Sequence, residues 1–125
     1  LGVVSTQTWS PDLDNPMNKK FVADYKAMFG AYPSFYAAQA YDTMMAIDHA
    51  VREAGSADTE AMRAVLAKGG IPTTRGSLAM NSNQFPIQNI YLRESVKDSD
   101  GMFTTKVIGT VFENHEDAYA KDCSF

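Results

Sequence analysis

A short polar segment, Asp98-Ser99-Asp100-Gly101, separates two runs of strand-forming residues, and this pattern most constrains the fold of the chain. The first run extends from Ile87 to Val96. In the second run, from Phe103 to Phe112, the set Phe103, Thr105, Val107, Gly109 and Val111 alternates with the set Thr104, Lys106, Ile108, Thr110 and Phe112. A polar turn that ends in Gly between two such runs is typical of a β-hairpin. We therefore predict a hairpin near the carboxyl end of the chain.

The segment before the hairpin carries helical periodicity instead. Apolar residues recur there at three- and four-residue spacing, which is the period of an amphipathic helix. Each periodic stretch begins with a residue type that caps helices and stops near glycine. Three helices are predicted on this basis, running from Asn15 to Gly30, from Ser34 to Gly55, and from Asp58 to Gly69-Gly70, with Pro72 as a further terminator. The first half of the second helix is almost uncharged, and we expect it to be buried.

Shorter extended segments flank the helices. Leu1 to Trp9 is rich in apolar and β-branched residues and predicts one strand with no partner nearby, and Ser77 to Met80 predicts another short one. The tail, Glu113 to Phe125, is predicted to be a surface turn or a short helix. These elements lack the adjacent strands of a complete sheet. Because the chain also opens inside a strand, we expect it to be a segment of a longer polypeptide that supplies the missing strands.

Composition narrows the classes of partner. The chain has 125 residues and a net charge of -4. This acidic balance gives no general attraction to nucleic acid or to anionic lipid. The single cysteine excludes an internal disulfide. Small molecules or proteins are therefore the expected partners, and no nucleic acid is expected.

Signals of catalysis are weak. His49 lies within the second predicted helix, His115 lies in the polar tail beside acidic residues, and Cys123 has no adjacent base. The spacing around His115 fits no zinc pattern, and no glycine-rich phosphate loop is present. Asp98 to Gly101 is similar to the start of a calcium loop, but no glutamate follows at the required distance. We expect no catalytic residues, no metal and no cofactor.

Several stretches, taken together, resemble one family. In order they are Asp14 to Phe21, Tyr32 to Asp42, Arg75-Gly76, and Phe85-Pro86-Ile87-Gln88 leading to Tyr91. Their order and spacing resemble the carboxy-terminal portion of bacterial solute-binding proteins of the branched-chain amino acid type, the Leu/Ile/Val-binding protein family, which serve ABC importers. The resemblance covers nearly the whole chain. The Phe-Pro-Ile-Gln stretch is most similar to members that take up aromatic acids as well as aliphatic amino acids.

This resemblance implies an α/β fold, with the chain as the C-terminal fragment of a two-lobed type I periplasmic binding protein in which helices are followed by a β-hairpin. In that family two lobes are joined by three crossing segments and hinge shut around the ligand. Residues 1–10 would then be a hinge-crossing strand, and residues 11–72 the helical part of one lobe. Residues 73–125 would be the return crossing and the β-hairpin of the other lobe.

The resemblance also implies a ligand site at the start of the second helix. Phe35, Tyr36, Ala38, Gln39 and Tyr41 offer aromatic rings and an amide there, and the free amides of a helix amino terminus suit a carboxylate. The small side chain of Ala38 would leave room for a larger, flatter ligand. Ordinary core packing is the alternative for each of these residues.

A second group of candidate ligand contacts ends the first strand. Gln7, Thr8 and Trp9 would line the cleft by the hinge, with Trp9 stacking on a ring or covering an apolar side chain. The alternative for Trp9 is that it anchors the following loop at the hinge. Asp42 is expected to be a structural hydrogen-bonding residue and not a ligand contact.

The function implied by the resemblance is reversible capture of a branched-chain or aromatic carboxylate or amino acid, followed by delivery to the permease of an ABC transporter. The implied location is the periplasm, and no chemistry on the ligand is expected. The main carboxylate and ammonium contacts would come largely from outside this chain, so we expect the isolated segment to bind weakly. Two alternatives remain open, a ligand-sensing regulatory module of the same fold and a self-associating structural fragment with unpaired strands.

Overall fold

The computed structural model describes residues 1–123, and in that range it contains three α-helices, five β-strands and one short 3₁₀ helix. The helices are α1 (Pro16–Phe29), α2 (Phe35–Ala54) and α3 (Thr59–Ala67). The strands are β1 (Val4–Gln7), β2 (Ile71–Thr73), β3 (Gly76–Met80), β4 (Pro86–Lys97) and β5 (Phe103–His115). The predicted tail, Glu113 to Phe125, is wrong at its start, because β5 continues to His115. A short 3₁₀ helix at Ala120–Asp122 follows, and the last two residues of the tail are outside the described range.

The three predicted helices are confirmed, and their ends have the expected chemistry. Asn15, Ser34 and Asp58 cap the helices, each accepting a hydrogen bond from a backbone N–H three residues on. Gly30 and Gly55 follow α1 and α2 with φ of 66° and 62°, the left-handed conformation that glycine adopts without strain.

Strand β4 is the centre of the sheet and pairs antiparallel with β1, β3 and β5. The predicted hairpin of β4 and β5 is confirmed, and its register shifts at three points. The first strand has no partner nearby in sequence, as expected, and its partner is the distant strand β4, whose 12 residues are long enough to pair with two strands in succession. The beginning of β4 pairs with β3, and the stretch from Tyr91 to Glu94 pairs with β1.

Strand β2 was not predicted, because Pro72 was interpreted only as a helix terminator. In the structure Pro72 lies in β2, opposite Ser77 of β3. Among the strands of residues 1–123, β2 is the last in the sheet order, so one of its edges carries no ladder within that range. Proline has no N–H to donate, and an edge strand tolerates that loss.

The hydrophobic core lies between the loop after β1, helix α1 and the beginning of α2. Its buried members are Trp9, Phe21, Val22 and Ala38. Aromatic contacts connect the three segments, with ring centroids of Trp9 and Phe21 6.3 Å apart and those of Phe21 and Tyr41 4.7 Å apart. This core fixes the amino-terminal end of α2 against α1.

The prediction that the first half of α2 is buried is wrong for one of its faces. Ala38 and Asp42 are buried, whereas Tyr36 and Met44 are 78% and 64% exposed. Only one side of the helix meets the core, so the other side keeps its apolar residues in contact with solvent. Strand β5 also has apolar side chains in contact with solvent, because Phe103 and Phe112 are 68% and 53% exposed.

Candidate functional site

The first two turns of α2 present a solvent-facing edge with an aromatic ring and an amide. Ser34 caps the helix by accepting a hydrogen bond from the N–H of Ala37. Tyr36 is exposed, and its ring meets that of Phe35 edge-on with centroids 5.6 Å apart. Gln39, three residues further on, is also exposed. Residues at this spacing share one helix face, so Tyr36 and Gln39 lie together on the open side.

The other three predicted residues of α2 face inward. Phe35 and Tyr41 are half-buried and pack against the core cluster, and Ala38 is 1% exposed within it. For Ala38 the structure favours the packing alternative, because a methyl group enclosed in the core has no free surface.

Trp9 is also in the core, at 1% exposure. Its indole Nε1 donates to Oδ1 of Asn18 at 2.7 Å, and the amide nitrogen of Asn18 donates to the carbonyls of Ser10, Pro11 and Leu13. Asn18 is fully buried and uses both ends of its side chain to hold the loop after β1. The structure thus favours the second interpretation of Trp9, in which it anchors the loop.

Gln7 and Thr8 are half-buried at the end of β1. Gln7 is opposite Tyr91 of β4, and its side-chain oxygen accepts the N–H of Thr8 at 2.9 Å. Their part in ligand contact stays a prediction.

Asp42 has the structural role that was predicted for it. One carboxylate oxygen accepts the N–H of Thr74 at 2.6 Å, and the other accepts the hydroxyl of Thr74 at 3.0 Å and Nε of Arg75 at 3.1 Å. Arg75 also donates from Nη1 to the side-chain oxygen of Gln88 on β4. This network was missed, because Arg75 and Gln88 lie in stretches that carry the resemblance but no local pattern pairs them with α2.

A second polar cluster connects the end of α1 with the turn between β4 and β5. The hydroxyl of Tyr32 donates to Asp98 at 3.0 Å, and Nζ of Lys26 lies 3.6 Å from the same carboxylate and 4.1 Å from the centre of the Tyr32 ring. The backbone N–H of Met102, more than any other group, lowers the pKa of Asp98, and Tyr32, the N–H of Asp100 and Lys26 act in the same direction. Contact with Tyr32 raises the pKa of Lys26. Both shifts favour the charged forms.

A groove of about 670 Å³ separates α1 from the β4–β5 hairpin. Lys26, Tyr32 and Asp98 border it, together with other residues of α1 and the hairpin. None of the eight predicted ligand contacts lines it. The exposed edge of α2 with Tyr36 and Gln39 lies outside this groove, so a closed ligand site there needs a second surface opposite it.

Within residues 1–123, no three histidine, cysteine, aspartate or glutamate side chains converge to hold a metal ion. In the same range, no helix has the length and apolar character that crossing a membrane requires.

Comparison with known proteins identifies clear similarities. A family model described as "Periplasmic binding protein" matches residues 1–101. The Leu/Ile/Val-binding protein homolog 6 of Brucella abortus is 37% identical over 122 residues, covering 94% of this chain and 31% of the relative. The chain thus spans about a third of that relative's length.

Two solved structures from Rhodopseudomonas palustris extend this similarity to the fold. One is an ABC transporter solute-binding protein in complex with 3,4-dihydroxybenzoic acid, with 31% identity, a TM-score of 0.80, and coverage of 94% of this chain and 32% of the other. The second is a solute-binding protein in complex with benzoate, with 25% identity, a TM-score of 0.78, and the same coverage of 94% and 32%. All of these relatives are described as binding proteins or transporter components and not as enzymes.

Proposed function

Because this chain belongs to the periplasmic binding protein family, we propose that it is part of the solute-binding component of an ABC importer. Its function would be the reversible capture of a small carboxylate in the periplasm for delivery to a membrane permease. The proposed ligand is an aromatic acid or a branched-chain amino acid. No reaction on the ligand is proposed, since apolar contact, a few hydrogen bonds and lobe closure suffice for capture.

The observation that carries this proposal is the similarity to the dihydroxybenzoate complex, at 31% identity over 94% of this chain. The benzoate complex supports an aromatic ligand at lower identity, 25%. The 37% identity to a Leu/Ile/Val-binding protein homologue keeps branched-chain amino acids in the ligand panel.

Within the chain, we propose Tyr36 and Gln39 as the direct ligand contacts of α2. Their support is exposure on one face of the helix, where a ring and an amide can meet a flat carboxylate. Gln7 and Thr8 at the end of β1 remain proposed contacts near the hinge. Phe35 and Tyr41 would contribute indirectly, because they pack α2 against the core and so hold the face that carries Tyr36 and Gln39.

The proposed lobe arrangement keeps the three ranges that the family resemblance implies. Residues 1–10 would form one hinge-crossing strand, residues 11–72 the helical part of one lobe, and residues 73–125 the return crossing and hairpin of the other lobe. The exposed apolar side chains of α2 and β5 support this arrangement, because clusters of exposed apolar side chains in soluble proteins usually mark surfaces that contact another part of the protein or a partner. We propose that the remainder of a polypeptide of the relatives' length covers them.

Calorimetric titration of the full-length protein tests the proposal. The panel is benzoate, 3,4-dihydroxybenzoate, leucine, isoleucine and valine, with glucose as a ligand of unrelated chemistry. Saturable binding of at least one carboxylate and no heat with glucose are expected. Flat titrations across the whole panel would rule out the proposed capture.

The two alternatives have separate tests. A ligand-sensing module would carry a fused output domain in the same gene, and a transporter component would instead be encoded with a permease. A self-associating fragment would sediment as a dimer or larger species at micromolar concentration. A full-length monomer that binds a carboxylate excludes self-association as the function.

A further inference from the structure

The helices and the β4–β5 hairpin are connected at two polar contacts far apart along β4. One contact joins Arg75 to Gln88 near the beginning of the strand, and the other joins Lys26 and Tyr32 to Asp98 just after its end. Asp98 is ten residues beyond Gln88 in the chain, which corresponds to about 30 Å along a strand. Between the two contacts lie the groove beside α1 and the loop that follows β1.

The first contact is buried and firmly held. The carboxylate of Asp42, on α2, and the guanidinium of Arg75 have side chains only 4% and 12% exposed. The side-chain nitrogen of Asn15, at the start of α1, donates to the carbonyl of Thr74 at 2.8 Å. Two helices are therefore bound to the same β2–β3 turn, and Arg75 extends from that turn to β4.

The loop after β1 is bound to both strands of the hairpin and to α1. Arg93 of β4 donates to the carbonyl of Trp9 at 2.9 Å, and Asp12 accepts the N–H of Val107 of β5 at 2.9 Å. Asn18 of α1 donates to carbonyls of the same loop. These bonds hold the middle of the hairpin against the loop after β1 and, through that loop, against α1.

The second contact is smaller and closer to solvent. The side chains of Lys26 and Asp98 are 30% and 16% exposed. Oδ1 of Asp98 accepts the N–H groups of Asp100 and Met102 at 2.9 Å, which fixes the hairpin turn, and Oδ2 accepts the Tyr32 hydroxyl. One carboxylate oxygen of Asp98 thus stabilises the hairpin turn, and the other binds the helical part of the chain.

We propose that Lys26, Tyr32 and Asp98 form a clasp that sets the angle between the helical part and the hairpin, with the Asp42–Arg75–Gln88 network as the pivot. Asp98 lies at the opposite end of β4 from this pivot, so the clasp restrains motion of the hairpin turn that the pivot and the contacts of the loop after β1 leave free. The clasp residues are positioning residues for ligand capture and do not touch the ligand. This inference rests on the proposed function, because it assigns the two parts to two lobes.

Affinity depends on the clasp through preorganisation. When the angle is already restricted, ligand binding has less motion to remove, so loss of the clasp weakens binding without removing any ligand contact. Tyr32 also lies in the connection from α1 to α2, four residues before Tyr36. The clasp is therefore attached to the segment that leads directly into the candidate contact face.

The experiment uses the full-length protein with three separate variants. Lys26→Gln removes the cation, Tyr32→Phe removes only the hydroxyl, and Asp98→Asn keeps an oxygen for the turn while removing the charge. Lys20→Gln is the matched control, because Lys20 is an exposed lysine of α1 whose partner, Asp24 at 2.5 Å, lies on the same helix. Circular dichroism and melting temperature establish that each variant folds.

Two readouts separate the clasp from the function. Spin labels at Glu53→Cys and Ser99→Cys, in a background where Cys123 and every other native cysteine are replaced by serine, report the distribution of distances between α2 and the hairpin turn. Titration with the acid that binds wild type best reports affinity. The clasp variants are expected to broaden the distance distribution and to raise Kd about two- to fivefold, whereas Lys20→Gln changes neither.

Unchanged distance distributions in both Lys26→Gln and Tyr32→Phe would overturn the clasp, whatever happens to affinity. If wild type binds no acid, the proposed function fails, and the label distances still decide whether the clasp sets the angle. Broader distributions with unchanged Kd would overturn the link to ligand capture. Equal effects of Lys20→Gln and Lys26→Gln would also overturn the proposal.

Discussion

Asp42 on α2 and Arg75 in the β2–β3 turn form a buried ion pair, with Oδ2 of Asp42 3.1 Å from Nε of Arg75. The same carboxylate accepts two hydrogen bonds from Thr74. The pair joins helix to sheet at the position where the proposed return crossing begins.

Asp42→Asn is predicted to lower the free energy of unfolding by about 3 kcal/mol. The amide keeps one acceptor but turns a donor toward Arg75 or Thr74, so a buried partner loses its bond. Urea denaturation measures the change. Asp48→Asn is the control on the same helix, because Asp48 pairs with Arg52 in an exposed i,i+4 contact and is expected to cost less than about 0.5 kcal/mol. Equal losses in the two variants would contradict the special role of Asp42.

Asn18→Leu is predicted to destabilise the protein by about 2–4 kcal/mol. Leucine has the same branching of side-chain heavy atoms but bulkier methyl groups, and it leaves the indole N–H of Trp9 and three loop carbonyls without their present partner. Unfolding followed by circular dichroism measures the effect. In a double-mutant cycle with Trp9→Phe, a coupling of about 1 kcal/mol is expected, and strictly additive losses would contradict the Trp9–Asn18 contact.

Tyr36→Ala is predicted to weaken binding of an aromatic acid by about three- to tenfold, because it removes a ring from the open face of α2. Stability should change little, since Tyr36 is 78% exposed. Tyr119→Ala is the matched control, a 73% exposed tyrosine in the tail, and it should leave Kd unchanged. Calorimetric titration compares the two variants, and equal Kd values for them would argue against Tyr36 as a contact.

The carboxyl of Asp98 is predicted to titrate below the ordinary aspartate value of 3.8. A carboxyl with a lowered pKa in the folded state stabilises the fold above about pH 4. That contribution is lost as the pH falls through the lowered pKa. NMR titration of the side-chain carboxyl carbon gives the midpoint in wild type and in Lys26→Gln.

Most of the lowering should survive in Lys26→Gln, because the backbone N–H of Met102 is its largest cause. A midpoint at or above 3.8 in wild type would contradict the hydrogen bonds assigned to Asp98. If the pKa of Asp98 returned to 3.8 in Lys26→Gln, the ion pair with Lys26, and not the N–H of Met102, would be the main cause of the lowering.

Features that depend on neighbouring residues were predictable from the sequence. Helix caps such as Asn15 and Ser34 act over three residues, and the Asp98 turn acts over four, so helices and hairpin were assigned correctly. The family and its fold class are confirmed by the family model and by the two structures with TM-scores of 0.80 and 0.78.

Features that join distant segments were not predictable. The pairing of Gln7 with Tyr91 and the contact of Asp42 with Arg75 depend on how the whole chain folds. The burial of α2 was overestimated, because a sequence of uncharged residues does not indicate which helix face meets a partner. Strand β2 was missed because proline can either end a helix or occupy a sheet edge.

The most direct test of the central claim is a crystal structure of the full-length protein grown with the carboxylate that it binds most tightly. The account predicts the ligand in a cleft between two lobes, with the ring of Tyr36 or the amide of Gln39 within about 4 Å of it. A ligand bound elsewhere, with no contact to any residue of this chain, would contradict the account.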